Sequence, residues 1–283
     1  MRDDFGILIL THGRADSMQT LRTLKRGNYT GKWFMVIDDE DKTAERYYEL
    51  YGKDRVIMFN KQAVIDRTDT ADTFGEHRAI IFARNESFNI AKKLGLKYFL
   101  MLDDDYTGID FRFVKGESLK AKSCKQLDRL FEDMIEFLET SNALTVALCQ
   151  GGDFIGGANG KRFHEKVIRK AMNSFFCRTD RPFEFVGTMN EDVTMYTTLG
   201  SRGELIMSIT EAAIVQSETQ SLKGGMSEAY SDSGTYRKAF YTVMAMPSCV
   251  KIDMMGSKHR RIHHKVLWDR CVPKIINEKY KKG

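Results

Sequence analysis

The sequence predicts an α/β fold in one domain. Residues 1–150 read as a mostly parallel sheet flanked by helices, and residues 151–283 as a mixed α+β half. Three observations carry this. Short apolar runs end abruptly in polar groups at 5–12 (FGILILTH), 32–40 (KWFMVIDDE), 55–60 (RVIMFN) and 98–105 (YFLMLDDD). Segments with helical spacing separate them, as strand–helix–strand units require. After Cys149 the alternation stops at QGGDFIGGANG, which holds five glycines in eleven residues.

In chain order, the strand at 5–12 is followed by MQTLRTLK, whose apolar spacing is helical, and then by the strand at 32–40. A third strand falls at 55–60. The stretch GEHRAIIFARNESFNIAKKLGL forms a helix that stops near Gly95 and feeds the strand at 98–102. Over 123–141, Leu127, Leu130, Phe131, Met134, Ile135 and Leu138 make one apolar stripe, the mark of an amphipathic helix. It leads to a strand at 143–149. The glycine-rich 150–160 reads as a tight turn or as a close backbone approach to a ligand. Strands are expected at 173–178 and 183–187, a helix with an acidic first turn at 190–200, and a strand or pair of strands at 205–215. The polar, Gly- and Ser-rich 217–237 reads as a loop long enough to serve as a lid.

Composition limits the function classes. At 283 residues, 42% hydrophobic and 29% charged, the chain has the balance of a soluble globular protein. The N-terminal stretch lacks the features of a signal peptide, and no apolar run has the length to span a bilayer. Five scattered cysteines without a C-x-x-C pair point to reduced thiols and a cytoplasmic setting, the host's if the protein is viral. Charge is unevenly placed. From Lys258 onward nine Lys/Arg face Asp269 and Glu278, a net of +7, which leaves −2 for residues 1–257. A basic segment of this kind suits a polyanionic partner or a phosphate-bearing ligand, and equally a solubilising tail.

Three adjacent carboxylates at a strand tip repel one another unless solvated, protonated or bridged by a cation. Asp103, Asp104 and Asp105 are therefore either an exposed acidic turn or a cation site. Earlier strand tips carry Thr11 and Arg14, and Asp38 and Asp39. Glu191 and Asp192 open a helix, where they also complement its dipole, and His263 and His264 lie in KHRRIHHK. Asp and His around a divalent cation, with positions left for phosphate and water, fit Mn²⁺ or a similar ion.

The order of these motifs resembles the GT-A class of nucleotide-sugar glycosyltransferases, with D-x-D as DDD, a downstream NED and a C-terminal RIHHK. Within it, THGR, ARNxxxxxA, LDDDY, NED and RIHHKxxW most resemble the TET-associated glycosyltransferases. That group includes the base J glucosyltransferase and phage enzymes acting on hydroxymethylated pyrimidines in DNA. The resemblance implies a GT-A-like, Rossmann-like fold. It implies that Asp105 binds the metal, Mn²⁺ or Mg²⁺, that Asp103 contacts the ribose or shares the metal, and that His264 or His263 completes the site. Thr11, Arg14 and Asp38 or Asp39 would line the nucleoside pocket of a UDP-sugar, with Asp104 among the donor-binding residues and Arg84 facing the donor phosphates or sugar. Asp192 would be the base and Glu191 would position the acceptor or sugar. The implied activity is metal-dependent, inverting transfer from a UDP-sugar to a hydroxymethylpyrimidine in DNA. A glycan or protein acceptor is the alternative, and a metal-dependent nuclease a more distant one.

Overall fold

The computed structural model describes residues 1–71, 77, 80–216, 226–255, 261–271 and 277–281, with backbone alone for 226–235 and 261. Strand β1 (Phe5–Leu10) leads through helix α1 (Gln19–Arg26) to β2 (Lys32–Asp38). Helix α2 (Ala44–Tyr51) leads to β3 (Val56–Phe59). A short α3 (Lys61–Ile65) and a longer α4 (Ile81–Lys93) precede β4 (Tyr98–Asp103). The hairpin of β5 (Tyr106–Lys115) and β6 (Ser118–Ser123) follows, then α5 (Leu127–Ser141) and β7 (Thr145–Cys149). Next come α6 (Lys161–Glu165), β8 (Val167–Ile168), β9 (Ser174–Arg178), α7 (Glu191–Ser201) and β10 (Ile206–Gln216). Helix α8 (Met226–Ala245), the hairpin of β11 (Val250–Met255) and β12 (Arg261–Val266), and α9 (Trp268–Cys271) end the regular structure.

The main sheet runs β3-β2-β1-β4-β9-β7-β10-β5-β6, with β8 beside β10. The first four strands pair in parallel, as do β7 and β10. Strand β9 runs antiparallel between β4 and β7, and the β5–β6 hairpin extends the sheet antiparallel to β10. These directions bring the C-terminal ends of β1, β2, β4, β7 and β10 to one edge of the sheet, together with the starts of β5 and β9.

Both faces of the central strands are covered, which explains the unbroken apolar runs. Phe5, Ile7, Ile9, Leu100 and Leu102 pack with α1, α2 and α5 on one face. Leu8, Leu10, Phe99 and Met101 pack with α4 and α7 on the other. Asp103 continues the phase of Phe99 and Met101, so it leaves the strand toward α4.

Several expectations are corrected. Residues 183–187 form no strand; instead Asn85 of α4 accepts from the Phe185 backbone N–H at 2.8 Å and donates to its carbonyl at 3.0 Å, imitating a sheet partner. The 123–141 helix begins at Leu127, because 118–123 is used by β6. Residues 206–215 fall in the single strand β10, not in a pair. Residues 226–237, expected as part of a loop, belong to α8, which buries Ala239, Tyr241 and Thr242. Its Ser- and Gly-containing sequence has weak helix propensity, and packing overrides it. Residues 217–225 of that expected lid lie outside the described residues. The glycine-rich 150–160 is a compact pair of 3₁₀ turns: a Cβ on Gly160 would stand 2.9 Å from the Ile155 carbonyl oxygen, so the turn itself accounts for that glycine.

Candidate active site

The fold treats the three aspartates unequally. Thr20 of α1 pins their turn: its hydroxyl donates to the Asp103 carbonyl at 2.5 Å and its backbone N–H to the Asp104 carbonyl at 3.1 Å. The same hydroxyl accepts from the Tyr106 N–H at 3.0 Å. Asp104 turns inward, where it accepts from the Thr11 hydroxyl at 2.7 Å and from Arg14 Nη1 at 2.8 Å. With the Thr11 proton committed to Asp104, the Tyr47 hydroxyl donates to Thr11 (2.8 Å) and accepts from the Arg14 N–H (2.9 Å). This chain fastens the loop after β1 to the tip of β4. Asp105 is left over, and its Oδ1 is buried with no hydrogen-bond partner.

At the tip of β2, His12 Nδ1 lies 2.8 Å from Asp38 Oδ2, and Lys61 Nζ stands 3.6 Å from the other Asp38 oxygen. The hydrogen bond to Asp38 raises the His12 pKa above its ordinary value. Asp39 points elsewhere, accepting from Asn60 Nδ2 at 2.7 Å and the Lys61 N–H at 2.9 Å, where it holds the turn into α3.

Arg84 ties the two halves of the chain together. Its guanidinium is 2% exposed, lies over the rings of Phe175 (5.0 Å) and Phe185 (5.5 Å), and pairs with Glu191 and with Asp103, the latter at 3.4 Å. Burial opposes its charge, but Glu191, Asp103 and Asp192 outweigh that and raise its pKa. Burial raises the Glu191 carboxyl, opposed by Arg84. Helix α7 starts from Asn190 in the left-handed region (φ 51°), a conformation Asn tolerates better than most residues. Asn190 Nδ2 donates to the Lys238 carbonyl at 2.8 Å and to Thr242 Oγ1 at 3.1 Å, and lies 3.3 Å from His264 Nδ1. Trp268 stacks on Tyr196 of α7 at 5.6 Å, which docks the C-terminal hairpin so that His264 reaches Asn190. His263 stacks on His264 at 4.2 Å. Burial, then His263 and Lys238, push the His264 pKa down to about 4, so its imidazole is neutral at pH 7, the form that ligates metals.

Among the described residues, no group of three or more His, Cys, Asp or Glu is arranged to hold a metal ion. The strand tip itself fits a divalent cation, because Asp105 presents an orphaned carboxylate oxygen beside Asp103. Burial, then Asp103 and Asp104, raise the Asp105 pKa from 3.8 to about 6. The folded carboxyl thus holds its proton more tightly than the unfolded one, so its contribution to stability falls as pH rises through the window from 3.8 to about 6. Asp105→Asn is expected to abolish that loss and to be more stable than the parent at pH 7 by about 1–2 kcal/mol, allowing for partial exposure. Equal denaturation midpoints at pH 7 would contradict this account of Asp105.

A family model described as TET-Associated Glycosyltransferase matches residues 5–225. The chain belongs to that family. No curated protein matches it. Among solved structures it is similar to glucosyl-3-phosphoglycerate synthase from Mycobacterium tuberculosis, crystallised with Mg²⁺ and uridine diphosphate. The likeness has 10% identity and a TM-score of 0.46, over 93% of this chain and 87% of that one.

Membership makes this protein a glycosyltransferase, and its predicted residues fall into two groups. Thr11, Arg14 and Asp38 gather with Asp103, Asp104 and Asp105 along the strand-tip edge, and Arg84 joins Glu191 to that edge, with Asp192 beside it. Arg84, expected to face the donor, is instead buried as a bridge between carboxylates, and Asp39 serves the α3 turn. The region matched by the glycosyltransferase family ends before His263 and His264, of which His264 approaches Asn190 at the start of α7 through the C-terminal hairpin. Lys258, Arg260, Lys274 and Lys282 of the basic segment lie outside the described residues. Sequence reasoning missed Thr20, Tyr47, Lys61, Asn85 and Asn190, and assigned no role to His12. For Asn85 a signal existed: a mid-helix Asn has poor propensity, and a backbone partner elsewhere is a common reason for one. Among the described residues no helix is long and apolar enough to cross a membrane.

Proposed function

We propose that this glycosyltransferase moves a sugar from UDP to the hydroxymethyl group of a modified pyrimidine in DNA, with inversion at the anomeric carbon. The observation that carries the reading is the Arg84 bridge, which couples the Asp103 strand tip to the start of α7 at Glu191. Donor-side and acceptor-side carboxylates are thereby held against one buried cation rather than on separate surfaces.

In this reading Thr11, Arg14 and Asp38 face the nucleoside, with His12 and Lys61 fixing the Asp38 carboxylate. Asp105 and Asp103 would hold a divalent cation, Mn²⁺ or Mg²⁺, with His264 or the adjacent His263 completing its ligands. Such a cation, when bound, stabilises the negative charge of the departing diphosphate. Asp192 takes the proton of the acceptor hydroxyl as its oxygen bonds to the anomeric carbon. The sugar–phosphate bond breaks at the same time and its electron pair leaves with UDP. A positioned base of this kind contributes ~10²–10⁴-fold. Glu191 keeps its place through Arg84 and orients the acceptor. The basic C-terminal segment would add phosphate contacts, and a duplex acceptor would have its target nucleotide flipped out.

Intact-mass analysis of hydroxymethylated and unmodified oligonucleotides, incubated with a panel of UDP-sugars and Mn²⁺ or Mg²⁺, tests this. A mass gain of one sugar on the hydroxymethylated strand alone is expected. Transfer to a glycan or peptide, with no gain on any oligonucleotide, would overturn the DNA acceptor.

A further inference from the structure

The β5–β6 hairpin lies beside the candidate site in sequence, beginning at Tyr106 directly after Asp105, yet nothing in the proposed chemistry uses it. On one face, Ile109 is buried against the α1 and α5 side chains. Two and four residues further along the same face, Phe111 and Phe113 have no such cover and are each 40% exposed. Their directly opposed partners on β6 are Lys122 and Lys120, both exposed, and Lys115 continues the row. Opposed residues of an antiparallel pair share a face, so the surface alternates ring and ammonium. None of Lys115, Lys120 and Lys122 is in an ion pair with a described residue. On the opposite face the Arg112 guanidinium is stacked on Phe154 at 4.9 Å, while Val114 is 45% exposed. From Tyr106 to Lys125 five Lys/Arg face only Asp110 and Glu117, a net of +3.

Lysines on an edge strand guard against unwanted strand pairing. Two exposed phenylalanines between them work against that purpose and need another reason. Flat rings that accept stacked bases, interleaved with cations that meet phosphates, are the chemistry by which proteins hold unpaired nucleic acid.

We propose that the Phe111/Phe113–Lys120/Lys122 face is a stacking platform for a single-stranded segment of nucleic acid. The proposal rests on the DNA-acceptor reading and adds to it where the acceptor strand lies. The strand would run from the Asp105 edge outward along β5, so that the nucleotides held by the platform flank the one that reacts.

The test uses the full chain and a labelled single-stranded oligonucleotide carrying a hydroxymethylpyrimidine. Phe111→Ala and Phe113→Ala should each weaken binding by roughly ten-fold or more. Lys120→Gln with Lys122→Gln should flatten the log–log salt dependence by about 1.4, at ~0.7 per phosphate on a single strand. UDP affinity should stay at the parent's value in all variants, since none of these side chains belongs to the proposed donor site. If the parent glycosylates the oligonucleotide and the variants bind it with unchanged affinity and salt slope, the platform is wrong and the DNA reading stands. If the parent transfers sugar only to a non-nucleic acceptor and binds no oligonucleotide, both fail. A parent dimer in sedimentation velocity that the phenylalanine variants abolish, with oligonucleotide affinity unaltered, would reassign the face to self-association and overturn the proposal.

Discussion

Arg84→Met is expected to destabilise the protein by about 3–5 kcal/mol, the scale of breaking a buried ion pair from one side. The arginine is the cation against which Asp103 and Glu191 are buried, and methionine retains most of the side-chain volume between Phe175 and Phe185. What remains is two inward carboxyls without their cation. Burial already raises the Glu191 pKa, and losing Arg84 removes the group opposing that rise. The variant's folded state then binds a proton that its unfolded state does not. Its stability should therefore recover as pH falls from neutral toward the ordinary carboxylate range. Urea titrations at pH 7.5 and pH 5.5 check both the size and the sign. Arg84→Lys should recover only part of the loss, because an ammonium cannot reproduce the planar contact with two rings and two carboxylates. A methionine variant as stable as the parent at both pH values would show that the bridge does not hold the halves together.

Asp192→Asn is expected to lower turnover by ~10²-fold or more while leaving UDP affinity at the parent's value, the pattern of a lost general base. The substitution is mild for the fold. Asp192 Oδ1 accepts the Val193 N–H at 2.7 Å, and an asparagine carbonyl oxygen accepts it equally well. What disappears is the ability to take a proton. Calorimetry with UDP alongside steady-state transfer rates separates the two effects. Retained turnover with a lowered unfolding midpoint would make Asp192 a helix-terminus charge and place the base elsewhere.

The first strands, α4 and the α5 stripe were legible because each depends on local pattern: apolar runs covered on both faces, or one stripe at helical spacing. The strand-tip position of the three aspartates was legible for the same reason. The β5–β6 hairpin was not, since its alternating rings and lysines bury little and so write no core pattern. Helix α8 was hidden by weak local propensity that only packing overcomes.

By itself, the sequence determined that an α/β sheet ends in acidic tips, that a second acidic pair starts a later helix, and that the motif order resembles nucleotide-sugar transferases. Side-chain identity and spacing along one strand or helix are local properties, so they survive in a string of letters. Which aspartate does what was decided only by tertiary structure. Asp104 faces Thr11 and Arg14, Asp103 faces Arg84, and Asp105 Oδ1 faces no donor at all. Those fates depend on partners 19 to 93 residues away in sequence, brought together by the parallel crossover and by the docking of α4 and α7 on one face of the sheet. Adjacent identical residues carry no information about such partners. Burial and pairing, which set their charge and chemistry, are properties of the assembled fold.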